Sequence, residues 1–333
     1  MNMKEAIKKY CTSLGLDTVG FMECKRFDEL VPYFEYRKEL GVENEFEEKD
    51  SEKRVNPKEL MNNGRTIISI AFPYLYIINN YNQIYFSKYT YGNDYHKVVA
   101  QYLEKVCHFI NELGGEAMYF VDSNPLPERY IAWKSGIGFI GKNNMLITEK
   151  YGSYVFLGEI ITNLELEADE QIENKCGECE ICIKACPSKA IKQRKENDIG
   201  YVNNSNVCLS YITQKKDIED LWFDKFKGRM FGCDTCQDVC PYNKKAQFSS
   251  IEEFKPKLFA QQVQLEELLK IDNKTFIEKY KQLSCGWRGK NILQRNAFIN
   301  AANLQKMNLI DVKDISSPYV KEYYYRLLKH FKL

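Results

Sequence analysis

No stretch of this 333-residue chain approaches the roughly 20 consecutive apolar residues that a bilayer-spanning helix needs. The opening MNMKEAIKKYCTSLGLD mixes charge with apolar residues at helical spacing. It has neither an uninterrupted apolar core nor a twin arginine, so a secretory leader is not expected. The expected setting is cytoplasmic, with no membrane partner. A dominant charge is missing too: 47 Lys and Arg stand against 46 Asp and Glu, a net +1. So balanced a chain has no global pull toward nucleic acid. The literal G-x-G-x-x-G match GIGFIG (136–141) lacks its context. A dinucleotide fingerprint follows a strand and opens a helix, whereas here a helix pattern precedes and a strand pattern follows. Its glycines are expected to serve a tight turn, or the close approach of a flat ligand to backbone.

What is present is a globular composition, 44% hydrophobic and 28% charged, with length for two or three domains. The first half reads as mixed α+β. Helices are expected over 2–14, 96–115 and 128–136, the last stopped by Gly136. Strands are expected over 65–74 and 117–123, and a hairpin over 144–162 turning near Gly152. Residues 170–245 carry cysteine motifs on short helices and loops. After about residue 250 every apolar pattern is helical, as in KNILQRNAFINAANLQ and PYVKEYYYRLLKHF, which suits a short α-solenoid. The expected division is 1–165, 166–250 and 251–333.

Twelve cysteines in a reducing compartment point to metal or redox chemistry rather than disulfides. CGECEICIKACP (176–187) is C-x₂-C-x₂-C-x₃-C-P, the run whose fourth cysteine ligates the other cluster in two-cluster ferredoxins. CDTCQDVCP (233–241) is a second, shorter run. Crossing the two assigns Cys176, Cys179, Cys182 and Cys240 to one [4Fe–4S] cube. Cys186, Cys233 and Cys236 then need a fourth thiolate, and Cys208 lies between the motifs to supply it. Zinc is the competing guest, but its pairs usually stand about 15–20 residues apart and close at four ligands. Cys11, Cys24, Cys107 and Cys285 stand alone and are expected to be core thiols.

Charge is uneven along the chain. Residues 281–333 hold ten Lys and Arg against three acids, a local +7. This is either a solvated helical surface or a face for phosphates. The YYYR run (323–326) is either stacking surface or, the plainer reading, a helix turning its tyrosines inward. Residues 121–162 crowd a strand-ending Asp122, Arg129, glycines, Lys142, Asn143 and Asn144 into a short span, as a cofactor pocket would.

VDSNPLPERYIAWKSGIGFIGKNN, CGECEICIKACPSKAI, CLSYITQ and FGCDTCQDVCPYNK together resemble the signature set of the epoxyqueuosine reductase family, as do SEKRVNPKEL (51–60) and SCGWRGKNILQRNA (284–297). The likeness covers roughly residues 1–300. It implies a nitroreductase-like cobalamin-binding domain, a ferredoxin-like two-cluster domain and a short HEAT-like helical tail. It further implies reduction of epoxyqueuosine to queuosine at the wobble position of a tRNA anticodon, the last step of queuosine biosynthesis. By motif, Asp122 matches the proton donor. Arg54, Ser87, Asp122, Asn143, Leu146, Leu157, Ser210 and Asp234 fall where such proteins are expected to touch cobalamin. The tail stops after about one and a half helical repeats, shorter than in longer members. The corrinoid motif D-x-H-x-x-G is started by DYHKVV (94–99) but lacks its glycine. That suits a base-off cobalamin without an axial protein histidine. The implied partners are the modified tRNA and a low-potential electron donor of unknown identity, serving a monomer.

An acid must meet the oxygen as the epoxide opens. A free aspartic acid, with a pKa near 3.9, is ionised at neutral pH, so burial beside the corrin is expected to raise Asp122. Three other readings make different demands. A reductive dehalogenase would carry a twin-arginine leader and no basic tail. An electron-transfer module would take up no corrinoid. An RNA-binding scaffold would bind tRNA without turnover.

Overall fold

The computed structural model describes residues 2–76, 83–192 and 202–333. Its strands are β1 (Val19–Glu23), β2 (Thr66–Pro73), β3 (Tyr85–Phe86), β4 (Ala117–Phe120), β5 (Phe139–Ile140), β6 (Leu146–Ile147), β7 (Val155–Thr162) and β8 (Arg229–Phe231). Four of them form an antiparallel sheet in the order β1–β2–β7–β4.

All eight residues of β2 are buried, because both faces of the sheet are covered. Side chains alternate across a strand. Ile68, Ile70 and Phe72 therefore face a core with Val99 and Leu103 of the Tyr95–Glu112 helix and Ile7 of the Met3–Ser13 helix. Ile67 faces the other way, toward Met22, Phe27 and Ile131 of the Glu128–Lys134 helix. The expected helices and the first strand are present, within a few residues at each end.

The expected 144–162 hairpin is not. β6 pairs with β5, and β7 runs on alone into the sheet between β2 and β4. Gly152 makes only an isolated bridge to Thr148. The reason is burial: β7 is largely buried on both faces and belongs in the middle of a sheet, a place a hairpin partner at its N-terminal end would not give it. The GIGFIG glycines also acquire a purpose. A Cβ on Gly138 would meet the carbonyl oxygen of Ile147 at 2.6 Å, so the glycine lets β5 and β6 close on one another. The close approach is to the chain's own backbone.

The cysteine segment has little regular structure beyond short helices at Ile181–Ala185, Leu209–Ile212 and Thr235–Asp238. β8 ties it to the first half by pairing in parallel with β3. The helical tail packs on the same segment. Eleven residues of the Lys290–Asn303 helix are buried, so it is enclosed nearly all round rather than amphipathic. Its Leu293 and Phe298 share one apolar core with Phe223, Met230 and Phe231, and with Tyr323 and Leu327 of the Pro318–Phe331 helix.

Part of the tail's positive charge is spent inside this core. Arg295, fully buried, donates to the carbonyls of Lys215 (2.6 Å), Lys216 (2.8 Å) and Thr213 (3.1 Å). Arg288 donates to the Gln214 carbonyl at 2.6 Å, and Arg326 pairs with Asp220. In YYYR, Tyr323 is buried and Tyr325 is exposed, which favours the inward-packing reading for the run's first residue.

Candidate functional site: two thiol sets and a carboxylate held by an imidazole

Cys176, Cys179, Cys182 and Cys240 line a single cavity of about 180 Å³, together with Lys142, Asn143, Lys175 and Tyr242. Tight turns bring the first three together. The Cys179 N–H donates to the Cys176 carbonyl at 3.0 Å, and Asn174 Oδ1 accepts from the Cys176 N–H at 2.9 Å. Cys240 enters from the second motif, as the crossed assignment requires. Burial and the facing Cys176, Cys240 and Cys179 push the Cys182 thiol up to about 11.

The second set gathers in the same way. Burial and the neighbouring Cys233 raise Cys208 to about 11, with Cys186 also facing it. Burial, Cys208 and Cys233 push Cys236 up. Cys186 goes the other way: burial would raise it, but the N–H groups of Ile191, Ser188 and Ala190 and the Ser188 hydroxyl outweigh that and lower it. Arg229 Nε donates to Cys233 Sγ at 3.3 Å, and Thr235 Oγ1 lies 3.4 Å from the same sulfur. Four thiolates this close repel one another, and a cationic guest removes the penalty. Among the described residues no three His, Cys, Asp or Glu side chains converge where one metal ion would sit. The ligands of a cube each bind a different iron and stand farther apart than those of a single zinc. The four lone cysteines, 11, 24, 107 and 285, are buried, as expected of core thiols.

The residues assigned to a corrinoid fall into several places. Ser87 lies beside β8, its N–H donating to the Phe231 carbonyl at 2.9 Å. Next to it the Lys88 N–H donates to Asp234 Oδ2 at 2.8 Å, and Lys88 Nζ pairs with Asp238 at 2.5 Å. Ser210 lies two residues after Cys208, in the Leu209–Ile212 helix. Leu146 and Leu157 share an apolar cluster with Ala132 and Val155. Asn143 lines the first thiol cavity. Arg54 stands in a separate network, its guanidinium 3.8 Å above the Phe34 ring and 3.6 Å from Glu47, which also accepts from Ser205. Three buried atoms among these residues make no hydrogen bond within the chain: Arg54 Nη1, Ser87 Oγ and Asn143 Nδ2. Buried polar atoms are seldom left so. Ser135, Ser284 and Gln294, which have no such assignment, also carry such an atom; the three at assigned positions fit a polar-rimmed flat ligand.

Asp122 is just past the end of β4, at a left-handed φ of +47°. Its N–H donates to Glu128 Oε1 at 2.7 Å. Its Oδ2 accepts from Tyr95 Oη at 2.8 Å and from His96 Nε2 at 2.9 Å. The other ring nitrogen of His96 donates to Asp94 Oδ1 at 2.8 Å, and Asp94 is also the N-cap of the Tyr95–Glu112 helix. An imidazole with a carboxylate at each nitrogen is an imidazolium. Burial would lower His96, but hydrogen bonds to Asp122 and Asp94 carry it up to about 9. Burial would raise Asp122, but His96 and Tyr95 outweigh it and hold the carboxyl below its usual range. The chain's own groups thus act against the rise expected of Asp122 beside a corrin: they lower the carboxyl and raise the imidazole. Sequence reading missed His96 and Glu128. The one signal for His96 was DYHKVV, taken as an incomplete corrinoid motif. Behind Glu128 lies Glu159, fully buried in β7, accepting from Ser69 Oγ at 3.2 Å and pushed well up by burial and by Glu128.

Burial raises the Tyr89 phenol, with the charges of Cys285, Asp234, Asp122 and Cys208 adding to the rise. Thiols grouped in two interlocked sets exist to hold clusters that pass electrons, and this architecture is that of an iron–sulfur oxidoreductase. Comparison with known proteins narrows the class. Residues 175–243 match the family described as 4Fe-4S double cluster binding domain, and residues 54–123 match epoxyqueuosine reductase QueG, DUF1730. The epoxyqueuosine reductase of Bacillus anthracis is 36% identical over 318 residues, covering 92% of this chain and 82% of that one. That of Lactococcus garvieae is 33% identical over 332 residues, covering 97% and 93%. A crystal structure of epoxyqueuosine reductase with a tRNA-Tyr epoxyqueuosine-modified stem loop superposes with a TM-score of 0.91 at 33% identity, covering 99% of this chain and 90% of that one. The Streptococcus thermophilus enzyme gives 0.88, also at 33%, with the same coverage. The chain belongs to the epoxyqueuosine reductase family.

Proposed function

We propose that this protein reduces epoxyqueuosine to queuosine in the anticodon loop of tRNA. Two [4Fe–4S] clusters and a cobalamin are its cofactors. Family membership over nearly the whole chain carries the reading, and the crossed thiol sets support it. Cys176, Cys179, Cys182 and Cys240 hold one cluster, and Cys186, Cys208, Cys233 and Cys236 the other. Arg54, Ser87, Asn143, Leu146, Leu157, Ser210 and Asp234 would hold the cobalamin, and Asp122 would serve the substrate. When bound, the cobalamin supplies a strongly reducing cobalt centre, and the clusters feed it single electrons.

The chain's own groups handle the substrate and the protons. The base to be reduced sits in a single-stranded loop, so it can leave its stack and reach Asp122. Asp122 meets the epoxide oxygen, where charge grows as the ring opens. The exposed tail lysines that remain after Arg288, Arg295 and Arg326 are paired internally hold phosphates. The three segments 1–165, 166–250 and 251–333 divide these tasks as cofactor and acid, wire, and RNA support. The protein works as a cytoplasmic monomer with a separate low-potential donor. None of its described helices is long and apolar enough to cross a membrane.

The test is Asp122→Asn. Anaerobic preparations of wild type and variant are expected to contain about eight iron and one cobalt per chain. The variant is expected to form product about 10²–10⁴-fold more slowly. Undiminished turnover removes Asp122 from the acid's role, and wild type without cobalt or product refutes the function.

A further inference from the structure

The overall reaction breaks the epoxide's two C–O bonds, forms a C=C bond and releases the oxygen as water. It consumes two electrons and two protons. The electrons come from the one-electron donor that serves the clusters. Both protons go to the same oxygen, yet a carboxyl group carries only one at a time. An aspartate that meets this oxygen must therefore be loaded twice in each turnover. Nothing in Asp122 itself does this, since its surroundings favour the ionised form.

The geometry points to His96 as the positioning residue that loads Asp122, passing each proton from its Nε2 to the Asp122 carboxylate. This rests on the function proposed above, with Asp122 as the acid. Four observations support it. His96 Nε2 is 2.9 Å from Asp122 Oδ2. Its Nδ1 is held at 2.8 Å by Asp94, which fixes the ring's orientation and stabilises its positive charge. The ring stacks on Tyr95 at a centroid distance of 4.1 Å, and Tyr95 in turn stacks on Phe156 at 4.3 Å, so it cannot swing freely. Its side chain keeps 32% exposure, enough to regain a proton from water between transfers.

The charged and titratable neighbours favour the cation. Asp94 and Asp122 touch the ring, and Tyr95 lies against it. Glu128 and Arg129 lie beyond Asp122, Cys285 behind Asp94, and Tyr89 across from Asp122. Among these, Arg129 is the cation that opposes the positive charge, and burial opposes it too. The folded-state value near 9 is above that of a free imidazole, so the contact stabilises the fold fully below about pH 6.5 and loses that contribution as pH rises through about 9.

The experiment has an arm that needs no turnover. The chain has three histidines, so their imidazole signals can be followed by NMR across a pH titration. In the wild-type protein one signal should titrate near pH 9, and in Asp122→Asn it should move down by a unit or more. No signal titrating above pH 8 in wild type overturns the proposal. The second arm follows turnover of a modified stem loop from pH 6 to 10. His96→Gln keeps an N–H for Asp122 but carries no exchangeable charge. It should lose about 10–100-fold in kcat with KM for the stem loop little changed, and lose the fall in rate above pH 9. His96→Ala should regain activity with added imidazole. A His96→Gln enzyme with the wild-type rate and pH profile overturns the proposal, even where Asp122→Asn is inactive and the acid assignment stands. Iron content is measured alongside, so a misfolded variant is recognised and the NMR arm decides.

Discussion

The two thiol sets hold the same number of sulfurs in opposite surroundings. The first opens on a cavity with Lys142 and Lys175 at its rim and exposed Ile181 and Tyr242 nearby. The second is pressed between β8 and the helical tail: Cys208 and Cys233 pack on the largest apolar core, and Arg229 donates to one sulfur.

That contrast can be broken from the inner side. Arg295→Met takes a donor from the carbonyls of Thr213, Lys215 and Lys216, in the loop that follows Cys208; Asn296 still serves Thr213 and Tyr319 still serves Lys216, so the Lys215 carbonyl loses most. The cost is about 1–3 kcal/mol, seen as a melting temperature lower by roughly 2–6 °C. Iron bound by the second set should suffer before iron bound by the first. A direct comparison is smaller in stability but plainer in metal. Cys208→Ser and Cys176→Ser should each drop iron from about eight toward about four per chain. Only the Cys208 variant should also melt earlier, because only that set is part of the large core. Equal melting losses would mean that both sets staple the fold alike. The finest test is Arg229→Met, which removes a donor from Cys233. A hydrogen bond to a cluster sulfur favours the reduced state, so the second cluster's potential should fall by on the order of tens of millivolts, with the first unchanged. Redox titration followed by electron paramagnetic resonance separates the two.

Much of this was legible in the chain's letters. The cysteine spacings group Cys240 with Cys176, Cys179 and Cys182, and the fold brings those four thiols to one cavity. The Tyr95–Glu112 helix and β2 followed from period and composition. The hairpin at 144–162 failed because periodicity reports which faces are buried but not which strand does the burying. DYHKVV failed in another way. Its Asp and His were read as an incomplete ligand motif, and their partner Asp122 is 26 residues away from His96 in sequence. The cost of an acid's proton depends on such neighbours, and they become visible only when the chain is folded. The tail's +7 was read from letters that do not say which cations are already engaged; Arg288, Arg295 and Arg326 are.

Asp122's φ of +47° narrows what evolution or an engineer can place there. That conformation is cheap for glycine, asparagine and aspartate and strained for branched or bulky side chains. Of the two amino acids able to carry a carboxyl, the shorter is the one the backbone tolerates here. Chain handedness thus acts as a filter on chemistry. Asparagine passes that filter, which makes Asp122→Asn the replacement that removes the charge and leaves the loop its shape.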